Sequence, residues 1–254
     1  MNSVAARILI GLGLLVILMA GDPLLAQQPA TSSSGIQINF GPDSESFSLP
    51  LRIIIVLTIL AFLPAMVISM TSFIRIIIVA HFLRQALGTQ SAPNNQILIG
   101  LTLFLTFFVM GPVWDQVYEQ AVVPYQDGSL SELDALAAAS IPMRTFMLKH
   151  VRDDDLKLFL SVGNLPRPKT EEDLPLRVIV PAFMISELKT AFQIGFVLFL
   201  PFLVIDMVVS SVLLSTGMMM LPPIIISTPF KILLFILVDG WNLVVGSLLK
   251  SFYI

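Results

Sequence analysis

A chain of 254 residues that is 56% hydrophobic and only 12% charged, with a mean hydropathy of +0.90, lies outside the composition of soluble globular domains. A net charge of −3 leaves no basic footprint for nucleic acid. The absence of cysteine removes disulfides, thiolate chemistry and most structural zinc sites, and His81 and His150 are too few for a histidine metal centre. These features predict an all-α, polytopic membrane or membrane-assembly protein, with no metal, no cofactor and membrane lipid among its contacts. The architecture expected is two long apolar helical hairpins with a polar helical segment between them.

Residues 1–26 have the form of a secretory signal. Arg7 precedes an apolar stretch over 8–19, and small residues stand at candidate cleavage points after Ala20 and Ala26. An uncleaved first anchor is the alternative. Residues 27–50, rich in Ser, Gly and Pro, read as an exported polar linker.

The first apolar hairpin is predicted over 51–118. Its first block, 51–70, is expected to break and kink at Pro64 and to continue through 71–83, carrying Arg75, His81 and, just beyond, Arg84. GTQSAPNN at 88–95 marks a true loop. The second block, 97–118, is expected to be interrupted at Gly111 and Pro112 and to end at Asp115 and Glu119. By the positive-inside tendency, Arg75 and Arg84 place this loop inside, 119–185 outside and the later methionine turn inside.

The segment 119–180 is more polar and is predicted to be partly helical and periplasmic. Helices are expected over 131–139 and 140–152, the second with Ser140 as N-cap and Pro142 in its first turn. Asp153, Asp154 and Asp155 read as the solvated, charged first turn of a helix over 156–162. A metal site there is the poorer reading, since consecutive helical positions point in different directions. Residues 166–175 read as an exposed loop. Ser186 is taken as the polar start of the helix entering the second hairpin, and Glu187 and Lys189, two apart, cannot share a face and so imply separate partners.

The second hairpin, 181–254, holds two apolar runs around Gly217, Met218, Met219, Met220, Pro222 and Pro223. Asp206 and Lys231 lie equally far from the midpoint of that turn, so folding brings acid and base to the same depth. Each unpaired would cost about 2.5–3.5 kcal/mol at a bilayer centre, so the two are expected to pair, either only to fix helix register or in gating and assembly. The methionines are flexible apolar fillers, suited to a deformable constriction or simply to packing. Asp239, before Gly240, is a further polar candidate. An aspartyl dyad with Asp206 is the weaker reading because Lys231 is the more natural partner. No HExxH or GxSxG motif is present, and the chain reads as a non-enzyme.

A faint repeat links Phe62-Leu63-Pro64 to Phe199-Leu200-Pro201, with Ser69 where the second copy has Asp206. Chance matching of apolar segments is one reading. The other is an ion-coupled small-solute carrier with Asp206 and Lys231 as its coupling pair.

Four segments carry a family resemblance: FIRIIIVAHFLRQALGTQSAPNNQILIGLTLFLTFF at 73–108, PAFMISELKTAFQIGF at 181–196, GMMMLPP at 217–223 and PFKILLFILVDGW at 229–241. In this order they resemble the FliP family of flagellar biosynthetic proteins, and the likeness runs from about residue 51 to 253. The resemblance implies a core subunit of the flagellar type III export gate in the bacterial inner membrane and flagellar basal body. It implies several copies assembled with FliQ and FliR, alongside FlhA and FlhB, passing unfolded rod, hook and filament proteins. The equivalent subunit of a virulence injectisome is the alternative; the signal-like N-terminus and long polar segment favour the flagellar member. The resemblance further implies that the hairpins pack into a cone raised toward the periplasmic side, that Met218, Met219 and Met220 form a gasket around the exported chain, and that Asp206 and Lys231 are its important charged pair.

Overall fold

The computed structural model describes residues 49–89, 92–163, 174–218 and 221–253. The expected signal at 1–26, the linker up to residue 48, the loop over 166–173, and Met219 and Met220 lie outside the described residues. The chain divides into two units, Met1–Arg52 and Ile53–Ile254, and the second holds nearly all of the described residues.

Among the described residues every regular element is helical: α1 (Leu49–Met70), α2 (Phe73–Ala86), α3 (Asn95–Val117), a π-helical stretch (Tyr118–Val122), α4 (Val123–Gln126), α5 (Glu132–His150), α6 (Asp153–Val162), α7 (Leu176–Ser215), α8 (Pro223–Leu237) and α9 (Gly240–Tyr253). Among the described residues three stretches are long and apolar enough to cross a bilayer, over Ile53–Met70, Asn95–Gln126 and Leu176–Ser215; α8 and α9 add a fourth only if taken together across a 67° bend. The chain is therefore all-α and polytopic in type.

Proline proved a poor guide to the breaks. Pro64 lies inside α1 and Pro112 inside α3. A proline removes one backbone hydrogen bond, and an apolar helix with no water nearby gains nothing by unwinding further. The interruptions fall instead at Thr71 and Ser72, both buried, and at the π-helical stretch. Likewise Glu132–His150 forms one helix where two are expected over 131–152. Ser131 is the cap, its hydroxyl accepting from the Asp134 N–H at 3.3 Å, while the Ser140 hydroxyl donates to the Ala137 carbonyl at 2.7 Å in mid-helix. The alanines before Pro142 have the highest helix propensity and carry the helix through it.

The helix α7 is the longest element. Forty residues at about 1.5 Å each give roughly 60 Å, about twice the hydrocarbon thickness of a bilayer. Its two halves differ in surroundings. Ile179, Ala182, Phe183, Ser186 and Glu187 are buried, so Ser186 marks no helix start, whereas Val197, Val204, Met207, Val208 and Val212 are exposed.

At the centre lies α2. Its Ile76 and Val79 join a core with Val109 and Met110 of α3, Phe146 and Met147 of α5, Ile179 and Phe183 of α7, and Leu248 and Phe252 of α9. Its C-terminal end, with Leu83, Ala86 and the following Leu87, joins a second core with Phe202 of α7 and Phe235 of α8. One short helix thus ties both hairpins together. α2 and α7 approach so closely that a Cβ built on Gly195 would stand 2.5 Å from the Phe82 ring.

The second arm of the second hairpin does not run unbroken to Trp241. It stops at Val238, and Asp239 takes a left-handed φ of +50°. Gly240 packs directly against the Phe235 ring, leaving no room for a side chain there.

Gly195→Ala is expected to push Phe82 aside and to destabilise the detergent-solubilised protein by about 1–3 kcal/mol, the usual penalty of overpacking. Adding Phe82→Leu should recover part of it, read as the shift in thermal midpoint.

Candidate functional site

The tip between α7 and α8 is built by backbone capping. Gly217 (φ +75°) donates to the Leu214 carbonyl at 3.2 Å and Met218 to that of Leu213 at 3.1 Å, the paired bonds of a Schellman motif that only a residue tolerant of positive φ completes cheaply. Pro222 and Pro223 then open α8, where the missing N–H groups are not needed. The tip presents apolar side chains outward: Met218 is 53% exposed and Leu221 is exposed too.

Behind the tip, Lys231 Nζ donates to Asp206 Oδ2 at 2.6 Å. The lysine side chain is 3% exposed and the aspartate 29%, so the cation is enclosed and the anion reaches the rim. Ser227, one helical turn before Lys231 and fully buried, donates to the other oxygen, Asp206 Oδ1, at 2.5 Å. Next to Lys231 and Thr228 lies the turn after α2. A Cβ on Gly88 (φ +71°) would stand 2.9 Å from Thr228 Oγ1 and 3.9 Å from Lys231 Nζ. The turn at Gly88 that ends α2 therefore lies close to the charged pair of the second hairpin.

A second polar centre lies among the buried helices. Arg75 of α2 forms a two-pronged pair with Glu187 of α7: Nε donates to Oε2 at 2.7 Å and Nη2 to Oε1, with exposures of 3% and 0%. The remaining nitrogen, Nη1, donates to the carbonyl and hydroxyl of Ser251, each at 3.0 Å, and the guanidinium stacks 3.9 Å over the Phe252 ring. His150, at the end of α5, lies against the same ring, with Nε2 3.2 Å from the Phe252 carbonyl and Nδ1 2.8 Å from that of Phe146. Four helices meet there. Arg75 is thus enclosed with a counter-ion, and the orientation inferred from it as a loop charge loses its basis; Arg84 instead donates to Asn95 Oδ1 at 2.6 Å and to His81 Nδ1 at 3.1 Å.

Lys189 turns away from Glu187, as its spacing predicts, and pairs with Asp155 Oδ1. The other oxygen of Asp155 accepts from Ser186 Oγ at 2.9 Å, and Ser186 Oγ in turn accepts from the Arg152 N–H at 3.0 Å. Asp153 and Asp154 do open α6 as expected, but Asp155 is 2% exposed and not solvated. Sequence reasoning missed it because three adjacent aspartates look alike until a neighbouring helix covers one; its separation from Asp154 by a helical step of about 100° was the available signal. Asp239 stays apart from these pairs and accepts from Asn242 Nδ2 at 3.2 Å. Among the described residues no group of three or more His, Asp or Glu side chains converges as a metal site would require.

Burial pushes the Asp155 carboxyl upward, but the hydrogen bonds from Lys189 and Ser186 and the charges of Lys189 and Arg152 outweigh it, and its pKa falls below the ordinary 3.8. A carboxyl depressed by folding contributes stability above its unfolded pKa and loses it as pH falls through the folded value. Acidification below about pH 4 should therefore release α6 from α7, and Asp155→Asn should flatten that part of the stability profile, measured by hydrogen exchange in α6.

Glu187→Gln, which leaves the Arg75 charge enclosed without a counter-ion, is expected to cost about 3–5 kcal/mol. Replacing both partners, as Arg75→Met with Glu187→Leu, should cost markedly less, because Ser251 keeps the Leu248 carbonyl at 2.7 Å. Thermal midpoints of the two purified variants and the unmodified protein make the comparison.

The sequence model described as the FliP family matches residues 56–248. Over 217 residues the chain is 52% identical to the flagellar biosynthetic protein FliP of Bacillus subtilis (strain 168), covering 85% of this chain and 98% of that one. It is 54% identical over 209 residues to the protein of the same name from Pectobacterium carotovorum subsp. carotovorum, covering 82% and 81%. With that of Caulobacter vibrioides (strain ATCC 19089 / CIP 103742 / CB 15) it shares 49% over 223 residues, covering 88% and 84%. The family match takes in α2, α7, α8 and the Asp206–Lys231 and Arg75–Glu187 pairs, and the chain belongs to the FliP family.

Proposed function

We propose that this chain is a core subunit of the flagellar type III protein export gate, lodged in the bacterial inner membrane at the flagellar basal body. In this reading it assembles in several copies with FliQ and FliR, alongside FlhB and FlhA, and passes unfolded rod, hook and filament proteins. Membership of a family of flagellar export components supports the coarser statement, a membrane-embedded part of the flagellar export apparatus. Residues 1–26 are then a signal peptide, 27–50 an exported linker and 119–180 a periplasmic segment, while 51–118 and 181–254 supply the two hairpins.

The observation that carries the reading is the hairpin from α7 to α8. Between Phe199 and Leu237 the only ionisable residues are Asp206 and Lys231, and they satisfy each other. Everything else on α8 that faces outward is apolar, with Ile225, Leu233, Ile236 and Leu237 exposed. Such a surface is stable only against lipid or other apolar helices. The rigid Schellman and Pro-Pro turn then holds a methionine-rich tip on the end of an otherwise uncharged arm.

The mechanism is passive and non-enzymatic. Copies of the tip meet around an axis, and Met218, Met219 and Met220 yield to an extended polypeptide, closing on it because unbranched thioethers change rotamer at little cost. An apolar constriction that excludes water also excludes ions. Asp206 and Lys231 hold the two arms in register, since parting them would leave Lys231 enclosed without a counter-ion.

Changing Met218, Met219 and Met220 together to Ala is expected to leave assembly intact and to raise ion conductance of the purified complex above background. Conductance that stays at background rejects the gasket. Movement of a small ion or solute by this chain alone, without other subunits, would favour a carrier.

A further inference from the structure

Ser227 holds a hydroxyl with two acceptors. Its Oγ lies 2.5 Å from Asp206 Oδ1 and 3.1 Å from the Ile224 carbonyl of its own helix, yet it carries one hydrogen and can serve one acceptor at a time. The carboxylate is the stronger acceptor because it is charged. The carbonyl is also already occupied: Thr228 Oγ1 donates to it at 2.7 Å. With α7 and α8 together, the hydroxyl therefore belongs to Asp206.

Ser227 and Lys231 are four residues apart on α8 and so share a face. Each takes a different oxygen of one carboxylate, Ser227 taking Oδ1 and Lys231 taking Oδ2 at 2.6 Å. A lysine alone leaves the carboxylate free to rotate about Cβ–Cγ and to present either oxygen. A second donor on a short, fully buried side chain removes that freedom.

We propose that Ser227 is a positioning residue for the Asp206–Lys231 pair: its hydroxyl orients the carboxylate so that α7 and α8 keep one register. Lys231 supplies the attraction between the arms, and Ser227 supplies the alignment. The proposal rests on the export reading, in which this pair holds the two arms in register while a chain passes the tip.

The test compares Ser227→Thr, which keeps the hydroxyl, with Ser227→Val, nearly the same size without it, and with Ser227→Ala. Each is expressed in cells lacking the native chain, and secretion of a flagellar filament subunit is measured together with the membrane level of the chain and the subunits that co-purify with it. The expected result is secretion within about twofold of the unmodified protein for Thr and lower by about fivefold for Val and Ala, the factor one lost hydrogen bond typically produces, at unchanged chain level and co-purification. Secretion by Val equal to that by Thr overturns the proposal. So does a loss that follows a lower chain level or lost co-purification, which is a folding defect and not a positioning one. If cells lacking the chain still secrete the filament subunit, the export reading itself fails; if they do not, and Thr and Val behave alike, only the role of Ser227 fails.

Discussion

Arg75 is a cation among the isoleucines of α2, and its 3% exposure means that water does not solvate it. A charge in such surroundings persists only with a counter-ion and filled hydrogen-bond positions. Glu187 supplies the first and Ser251 completes the second, which fixes α2 against α7 and brings the end of α9 to the same point. Apolar contacts between these helices are many but interchangeable. A two-pronged guanidinium–carboxylate pair admits one register.

With α2 so fixed, α7 becomes two helices in function though one in backbone. Its first half is enclosed by α2, α5 and α6, and the Asp155 clasp with Ser186 and Lys189 fastens that end. Its second half emerges with apolar residues outward and only Phe202 buried. A rod anchored along half its length can carry the α8 arm and its tip into lipid or into neighbouring subunits. The Asp206–Lys231 pair sits beyond the anchor, joined to it through the second core of Leu83, Ala86, Leu87, Phe202 and Phe235.

Much of the site was legible because it depends on short-range geometry. Asp206 and Lys231 lie at equal distances from a turn marked by Gly217, Pro222 and Pro223, and any hairpin closing there brings them to the same depth. Glu187 and Lys189 point apart by helical spacing, and the structure gives them different partners. The Gly88 and Asn94 signals ended α2 and began α3, the Asn94 side chain accepting from the Ile97 N–H at 2.9 Å. The differences arise where a local signal competes with packing: Pro64 and Pro112 suggest breaks, and Ser140 with Pro142 suggests a helix start, yet each proline sits within a helix. Asp239 showed the reverse, a bend at a residue with no proline to announce it.

By itself the sequence determined that this is an all-helical chain rich in apolar spans, where its second hairpin turns, which acid meets which base across that turn, and, through its motifs, its family. These depend on composition, on helical periodicity and on chain reversal, all of which act over a few turns. Tertiary structure alone decided that Arg75 takes Glu187, that His150 and Ser251 gather at the same point, that Asp155 and not its two neighbours is enclosed, and that Gly88 lies close to the charged pair. These partners lie from about thirty to well over a hundred residues apart, and hydropathy treats a helix face against protein and one against lipid as the same surface.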